Sequence, residues 1–236
     1  MLPGPITREQ LARFGREWKQ GQHVIVSGPT GSGKTELARN IDEIRVRAGS
    51  FLIVLVMKIE PDQTILNSYK GFTRWKDWRK PRSTEKRILL WPDLKGMPAL
   101  EAVEIQREIF ARALNQLSAS RGWMIHVDEG LYASSPRLLG LDRQIEIISI
   151  MGRSARNTLL TLMQRPAHVP LTVYGGAAHA FLGRTRERAD LDRLKEMNGR
   201  LGSREIAGRL SNLNLHEFLW VPIATDGMPE IVNLRR

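Results

Sequence analysis

Cysteine is absent from these 236 residues, acidic side chains are outnumbered by basic ones, and no apolar run is long enough to cross a membrane. Without cysteine there is neither a disulfide nor a thiolate metal site, and five scattered histidines leave little from which to build a structural zinc site. An uninterrupted apolar stretch of about 18 residues, the usual minimum for a membrane-spanning helix, is missing. The N-terminal MLPGPITREQ also lacks the apolar segment of a signal peptide. The expectation is a soluble, cytoplasmic protein with no membrane partner. Twenty-five Asp and Glu against 36 Lys and Arg leave a formal charge of +11. Such a charge favours polyanionic partners, nucleic acid first, because each cation paired with a phosphate releases condensed counterions. The competing reading is an arginine-rich composition that serves only solubility.

Hydrophobic residues make up 42% of the chain, enough for one sizeable core. Residues 1–236 are therefore expected to form a single domain. Its most specific motif is GPTGSGKTE, which fits G-x-x-x-x-G-K-[ST] over Gly28, Pro29, Thr30, Gly31, Ser32, Gly33, Lys34 and Thr35. The apolar run Val24–Val26 precedes it as a buried strand would, and Leu37, Ala38, Ile41 and Ile44 follow at helical spacing. Glycines at 28, 31 and 33 let successive backbone N–H groups point at phosphate oxygens beside the positive end of a helix dipole. Lys34 would reach the outer phosphates, and Thr35 would place its hydroxyl on Mg²⁺. A glycine-rich turn with no ligand is the bland alternative, but such a turn has no need of Lys-Thr. ATP and Mg²⁺ are the expected ligands.

Further on, strand-length apolar runs alternate with helical patterns. Strands are expected at 51–57, 88–91, 123–127, 158–163, 177–183, 217–221 and 231–234. A long helix is striped by Leu100, Val103, Phe110, Ala113, Leu114 and Leu117, and another runs from about 142 to 155. This order predicts an α/β fold with a mostly parallel central sheet flanked by helices. In GWMIHVDEG, a buried strand ends in two carboxylates. Asp128 suits a Mg²⁺ ligand acting through the metal's water shell, and Glu129 suits the group that orients or deprotonates an attacking water. Solvent-facing acids at a strand end are the alternative. His126 interrupts the apolar run and reads as a hydrogen-bonded core histidine. Gln164, at the end of Leu159–Met163, is placed to touch the γ-phosphate and the water if its strand lies beside that of residues 24–26.

The segment GRSARNTLLTLMQRPAHVP, residues 152–170, resembles the FtsK/HerA superfamily of ring-forming DNA translocases, including the small packaging ATPases of tailed phages. Their corresponding strand commonly ends in Thr-Gln-Arg-Pro after a Gly-Arg helix end. Here it reads Met163-Gln164-Arg165-Pro166, with Met in place of Thr. Looser similarity extends to Met57–Pro61, Arg87–Pro92 and Ala178–Phe181. The resemblance implies a three-layer, RecA-like P-loop core of the ASCE class, with the Asp128-Glu129 strand between the P-loop strand and the second strand. It also implies a homo-oligomeric ring with ATP sites at subunit interfaces, and a trans-acting arginine near the helix end before the Gln164 strand. Arg153 and Arg156 occupy that region; each can equally cap a helix C-terminus or pair with an acid. Arg165 is a further candidate.

The densest basic segment, YKGFTRWKDWRKPRSTEKR at 69–87, interleaves cations with aromatics. Lys70, Arg74, Lys76, Arg79 and Lys80 are the candidates for contact with nucleic acid, since phosphates call for cations and bases for stacking surfaces. Alternatively, Tyr69, Phe72, Trp75 and Trp78 pack this segment onto the domain. The resulting expectation is an ATP-driven translocase of double-stranded DNA, most plausibly the packaging motor of a small phage, with a portal or procapsid as partner. From its shortness the chain is expected to be without the membrane, clamp or nuclease additions of longer motors. A conjugation or helicase-type motor is one alternative. A regulatory NTPase or small-molecule kinase is another, although a kinase has no need of a Glu directly after Asp128.

Overall fold

Strands that are covered on both faces have no reason to alternate polar with apolar residues. Accordingly β1 (His23–Ser27) is buried at every position. The computed structural model describes residues 18–47, 49–60, 62–171, 173, 176–195, 203–224 and 228–234. Pro61 of the 57–61 segment and the N-terminal MLPGPITREQ lie outside the described residues. The remaining strands are β2 (Phe51–Leu55), β3 (Thr73–Trp75), β4 (Arg87–Leu90), β5 (Trp123–Val127), β6 (Thr158–Met163), β7 (Ala177–Gly183), β8 (Glu217–Pro222) and β9 (Glu230–Asn233). Among the described residues they form one sheet in the order β3-β4-β2-β5-β6-β1-β7-β8-β9. Pairing is parallel from β3 to β7, and antiparallel where β8 and β9 close the far edge.

Helices cover both faces. On one side α1 (Lys34–Arg47) and α2 (Gln63–Ser68) pack through Leu37, Ala38, Ile41 and Ile65 against Val26, Val54, Leu162 and Phe181. On the other side lie α3 (Ala99–Ser118), α4 (Gly130–Ser134) and α5 (Asp142–Met151), which meet Ile25, Ile53, Ile125 and Leu159. Ile25 and its register partner Ala180 point to that same side. There α6 (Arg188–Lys195) and α7 (Ser203–Ser211) bury Leu194, Ile206 and Leu210 against β7 and β8. The architecture is the three-layer P-loop fold with a mostly parallel sheet, as expected.

The sequence and the structure differ in three places. Leu100 leaves the stripe of α3: it is 84% exposed, whereas Ala102, Gln106 and Ile109 are buried. The helix expected to reach residue 155 ends at Met151. It gives way to a turn closed by Asn157 N–H to Gly152 O at 2.7 Å, with Arg156 in the left-handed region at φ 55°. That turn lies against Gly21, where a Cβ would come within 3.0 Å of Arg153 O. Finally β3, α2, α4, α6 and α7 were not legible as elements.

Candidate active site

Strand register brings the candidate residues together. Ser27 is level with Met163 across β1 and β6, so the glycine-rich turn and Gln164 leave the sheet side by side. Val127 is level with Thr161 across β5 and β6, which sets Asp128 and Glu129 on the far side of Gln164. The cleft above these strand ends has a volume of about 580 Å³ and is lined by Lys34, Thr35, Asp128, Glu129 and Gln164. That size suits a nucleotide.

The turn is a cradle with unmet polar capacity. Gly31 and Gly33 sit at φ 78° and 93°, a region a side-chain-bearing residue enters only at a cost. Lys34 Nζ donates to Pro29 O at 2.9 Å. Burial pulls the Lys34 ammonium below its usual range, partly offset by the Glu129 and Asp128 carboxylates. The Ser32 hydroxyl is buried and has no hydrogen-bond partner among the described residues. An orphaned hydroxyl, a partly desolvated ammonium and a row of backbone N–H groups are what a phosphate chain would satisfy. Thr35 and Asp128 line the same cleft. Among the described residues no cluster of three or more His, Asp or Glu could hold a metal by itself. This donor set fits Mg²⁺, which is usually held by one or two protein oxygens together with phosphates and waters.

Glu129 is the best-positioned base. Its Oε2 accepts from Gln164 Nε2 at 2.8 Å, and Gln164 Oε1 accepts from Thr30 Oγ1 at 3.1 Å. A continuous chain thus joins the carboxylate, the β6 end and the glycine-rich turn. Burial raises the Glu129 carboxyl above its ordinary range, against the opposing effects of the Gln164 bond and the Lys34 charge. The glycine that follows makes the arrangement possible: a Cβ on Gly130 would lie 2.6 Å from Thr161 Cγ2 and 3.2 Å from Leu162 O. Sequence reading passed over Gly130. It also passed over His216 and Tyr132, which line the cleft from the turn before β8 and from α4 without a motif to announce them.

His126 is a core residue. Its Nδ1 lies 2.7 Å from Asp42 Oδ2 and 3.3 Å from the Tyr69 hydroxyl, and both His126 and Asp42 are fully buried. Burial lowers the imidazole pKa, but the Asp42 carboxylate outweighs it and the net direction is up. The contact ties the P-loop helix, the Asp128 strand and the start of the basic segment to one another.

The arginines separate into two groups. Arg153 and Arg156 lie exposed in the turn before β6 begins, whereas Gln164 follows its end. Six strand residues at roughly 3.3 Å each hold them about 20 Å from the cleft of their own chain. Arg165 is beside the cleft, but its guanidinium pairs with Asp190 at 3.0 Å and with Glu187 at 3.9 Å.

In the basic segment the aromatics are packing residues. Tyr69, Trp75 and Trp78 are 5–7% exposed and belong to the core. Several cations are engaged by the fold. Arg74 lies over Trp91 at 4.7 Å and donates to Trp91 O, Lys76 pairs with Asp93 at 2.8 Å, and Arg79 covers Trp75 at 4.0 Å while pairing with Glu85. Lys70 and Lys80 are exposed and make no ion pair among the described residues.

No family model matches the sequence, and no curated protein matches it. Solved structures do. The genome packaging NTPase B204 from Sulfolobus turreted icosahedral virus 2, in complex with ATP-gammaS, is 16% identical with a TM-score of 0.60 over 92% of this chain and 98% of that one. The bacterial conjugative coupling protein TrwBdeltaN70 is 12% identical with a TM-score of 0.59, covering 98% and 92%. The pCW3 conjugation coupling protein TcpA, with ATPgS, is 15% identical with a TM-score of 0.53, covering 91% of this chain and 60% of that one. The shared feature is the fold.

Proposed function

We propose that this chain hydrolyses ATP to move double-stranded DNA, working as a single-domain subunit of a homo-oligomeric ring, and that the DNA is a viral genome being loaded through a portal or into a procapsid. The observation that carries the reading is the Thr30–Gln164–Glu129 chain of hydrogen bonds in the cleft that also holds Lys34, Thr35 and Asp128. Backbone N–H groups of Gly31, Gly33, Lys34 and Thr35, together with the Lys34 ammonium, bind the triphosphate. Thr35 and Asp128 would hold Mg²⁺, which when bound would supply neutralisation of the phosphate charge. Glu129, its carboxyl raised by burial, orients the attacking water and takes its proton. Gln164 bonds both Glu129 and Thr30, so loss of the γ-phosphate beside Thr30 is relayed along β6.

Ring assembly is supported by where two arginines that make no ion pair among the described residues lie. Arg153 and Arg156 are too far from their own cleft to act there, but stand on an exposed corner able to enter a neighbour's. Beside them the outer face of α5 exposes Ile150 and Met151 at 70% and 62%, an apolar patch of the kind that marks contact sites. Packaging follows the B204 likeness, 16% identical; the likeness to two coupling proteins, which for TrwBdeltaN70 spans as much of both chains at 12% identity, makes conjugative DNA transport the second reading. The test is the ATPase rate of the purified protein with duplex and with single-stranded DNA, alongside the mass of the assembly. Stimulation by duplex in a multi-subunit species is expected. A DNA-indifferent rate from a monomer would reject the motor.

A further inference from the structure

On the side of the P-loop away from Glu129 and Gln164 stands a histidine that the fold leaves unsatisfied. His216 precedes β8, two strands beyond β1 in the direction opposite to β6 and β5. Its ring is against the cradle itself, since a Cβ on Gly33 would lie 3.0 Å from His216 Nδ1. Both ring nitrogens are buried and, among the described residues, neither has a hydrogen-bond partner. The backbone sits at φ 67°, in the left-handed region that a residue with a side chain enters only at a cost.

Two liabilities in one residue call for a reason, and its surroundings hold it rigidly. Glu217 Oε2 accepts from Asn214 N at 2.8 Å and from Asn214 Nδ2 at 3.1 Å, while Leu234 N donates to His216 O at 3.2 Å. The turn is thus fixed with the imidazole facing the nucleotide cleft, which it lines together with Gly33 and Thr35. The reacting end of a bound triphosphate belongs near Glu129, so the opposite flank of the cradle is left to the ribose and base. A neutral imidazole offers one donor and one acceptor, matching the mixed hydrogen-bonding groups of a nucleoside rather than the acceptor-only oxygens of phosphate.

We propose that His216 recognises the nucleoside end of the bound nucleotide, an inference that rests on the nucleotide-binding reading of the cleft. The substitution that isolates the ring is His216→Gly, because glycine takes a positive φ without cost and should leave the hairpin folded. Titration calorimetry of the whole protein with Mg·ATP and with Mg·tripolyphosphate separates the two ends of the ligand. His216→Gly is expected to weaken ATP roughly three- to tenfold, the value of one hydrogen bond, and to leave tripolyphosphate unchanged. His216→Asn, which tolerates the left-handed backbone and keeps a donor and an acceptor, should recover part of the loss. Equal weakening of both ligands, or of neither, would overturn the assignment and leave His216 a hairpin residue. Wild-type protein that binds neither ligand would instead overturn the nucleotide reading itself.

Discussion

Lys34 and Glu129 face the same cleft but different stages of the proposed reaction, and substitution should split them. Lys34→Ala removes the ammonium from ground-state phosphates and should abolish measurable ATP binding. Glu129→Gln keeps the size and the Gln164 contact yet cannot take a proton, so binding should persist while kcat falls by roughly 10² to 10⁴. Calorimetry paired with phosphate release reads both, and equal loss of affinity in the two variants would contradict the assigned roles. A second residue-scale test concerns acid stability. His23 accepts from Leu159 N at Nδ1 and donates from Nε2 to Ser149 O, and burial holds its pKa down at about 4. Because the folded value lies below the unfolded 6.5, the unfolded chain binds the extra proton first. Stability should therefore be full above pH 6.5 and fall toward pH 4 by up to about 1.4 kcal/mol per pH unit from this group. His23→Asn, which keeps an acceptor for Leu159 but does not titrate, should flatten that part of the thermal-denaturation profile.

At the scale of elements, the central strands were legible because parallel strands covered on both faces read as continuous apolar runs. β7 falls on the expected residues 177–183, and β5 and β6 likewise match. The glycine-rich turn and Asp128-Glu129 were legible because their chemistry demands particular residues at particular places. Hidden was whatever depends on close approach in space: Gly130 against Thr161, or His216 against Gly33, with no spacing in the sequence to betray it. β3 was hidden too, since three residues in a stretch rich in charge carry no periodicity. Its aromatics proved to anchor the segment, which changes what to expect of its cations. Arg74, Lys76 and Arg79 are occupied by carbonyls, carboxylates and ring faces, so Lys70 and Lys80 are the better candidates for phosphate contact. Replacing both by Ala should flatten the slope of log K against log salt for duplex DNA by about 0.9 each. An unchanged slope would move the DNA path off this edge of the sheet.

In the proposed ring, a cleft at one end of β6 and exposed arginines at the other would make each chain half of two sites. Ile150→Glu, placed in the exposed apolar face of α5 beside Arg153, should shift the assembly toward smaller species by light scattering and lower the ATPase rate with it. The most direct test of the motor account is complementation between two dead proteins. Arg153→Ala/Arg156→Ala keeps an intact cleft but offers no arginines, while Lys34→Ala offers arginines but cannot bind nucleotide. If the arginines act across the interface, each protein alone should be inactive, and mixing them should restore part of the ATPase rate, because some interfaces then pair an intact cleft with an intact arginine corner. Mixtures that co-assemble and stay inactive, or an arginine double variant that hydrolyses ATP unaided, would contradict it.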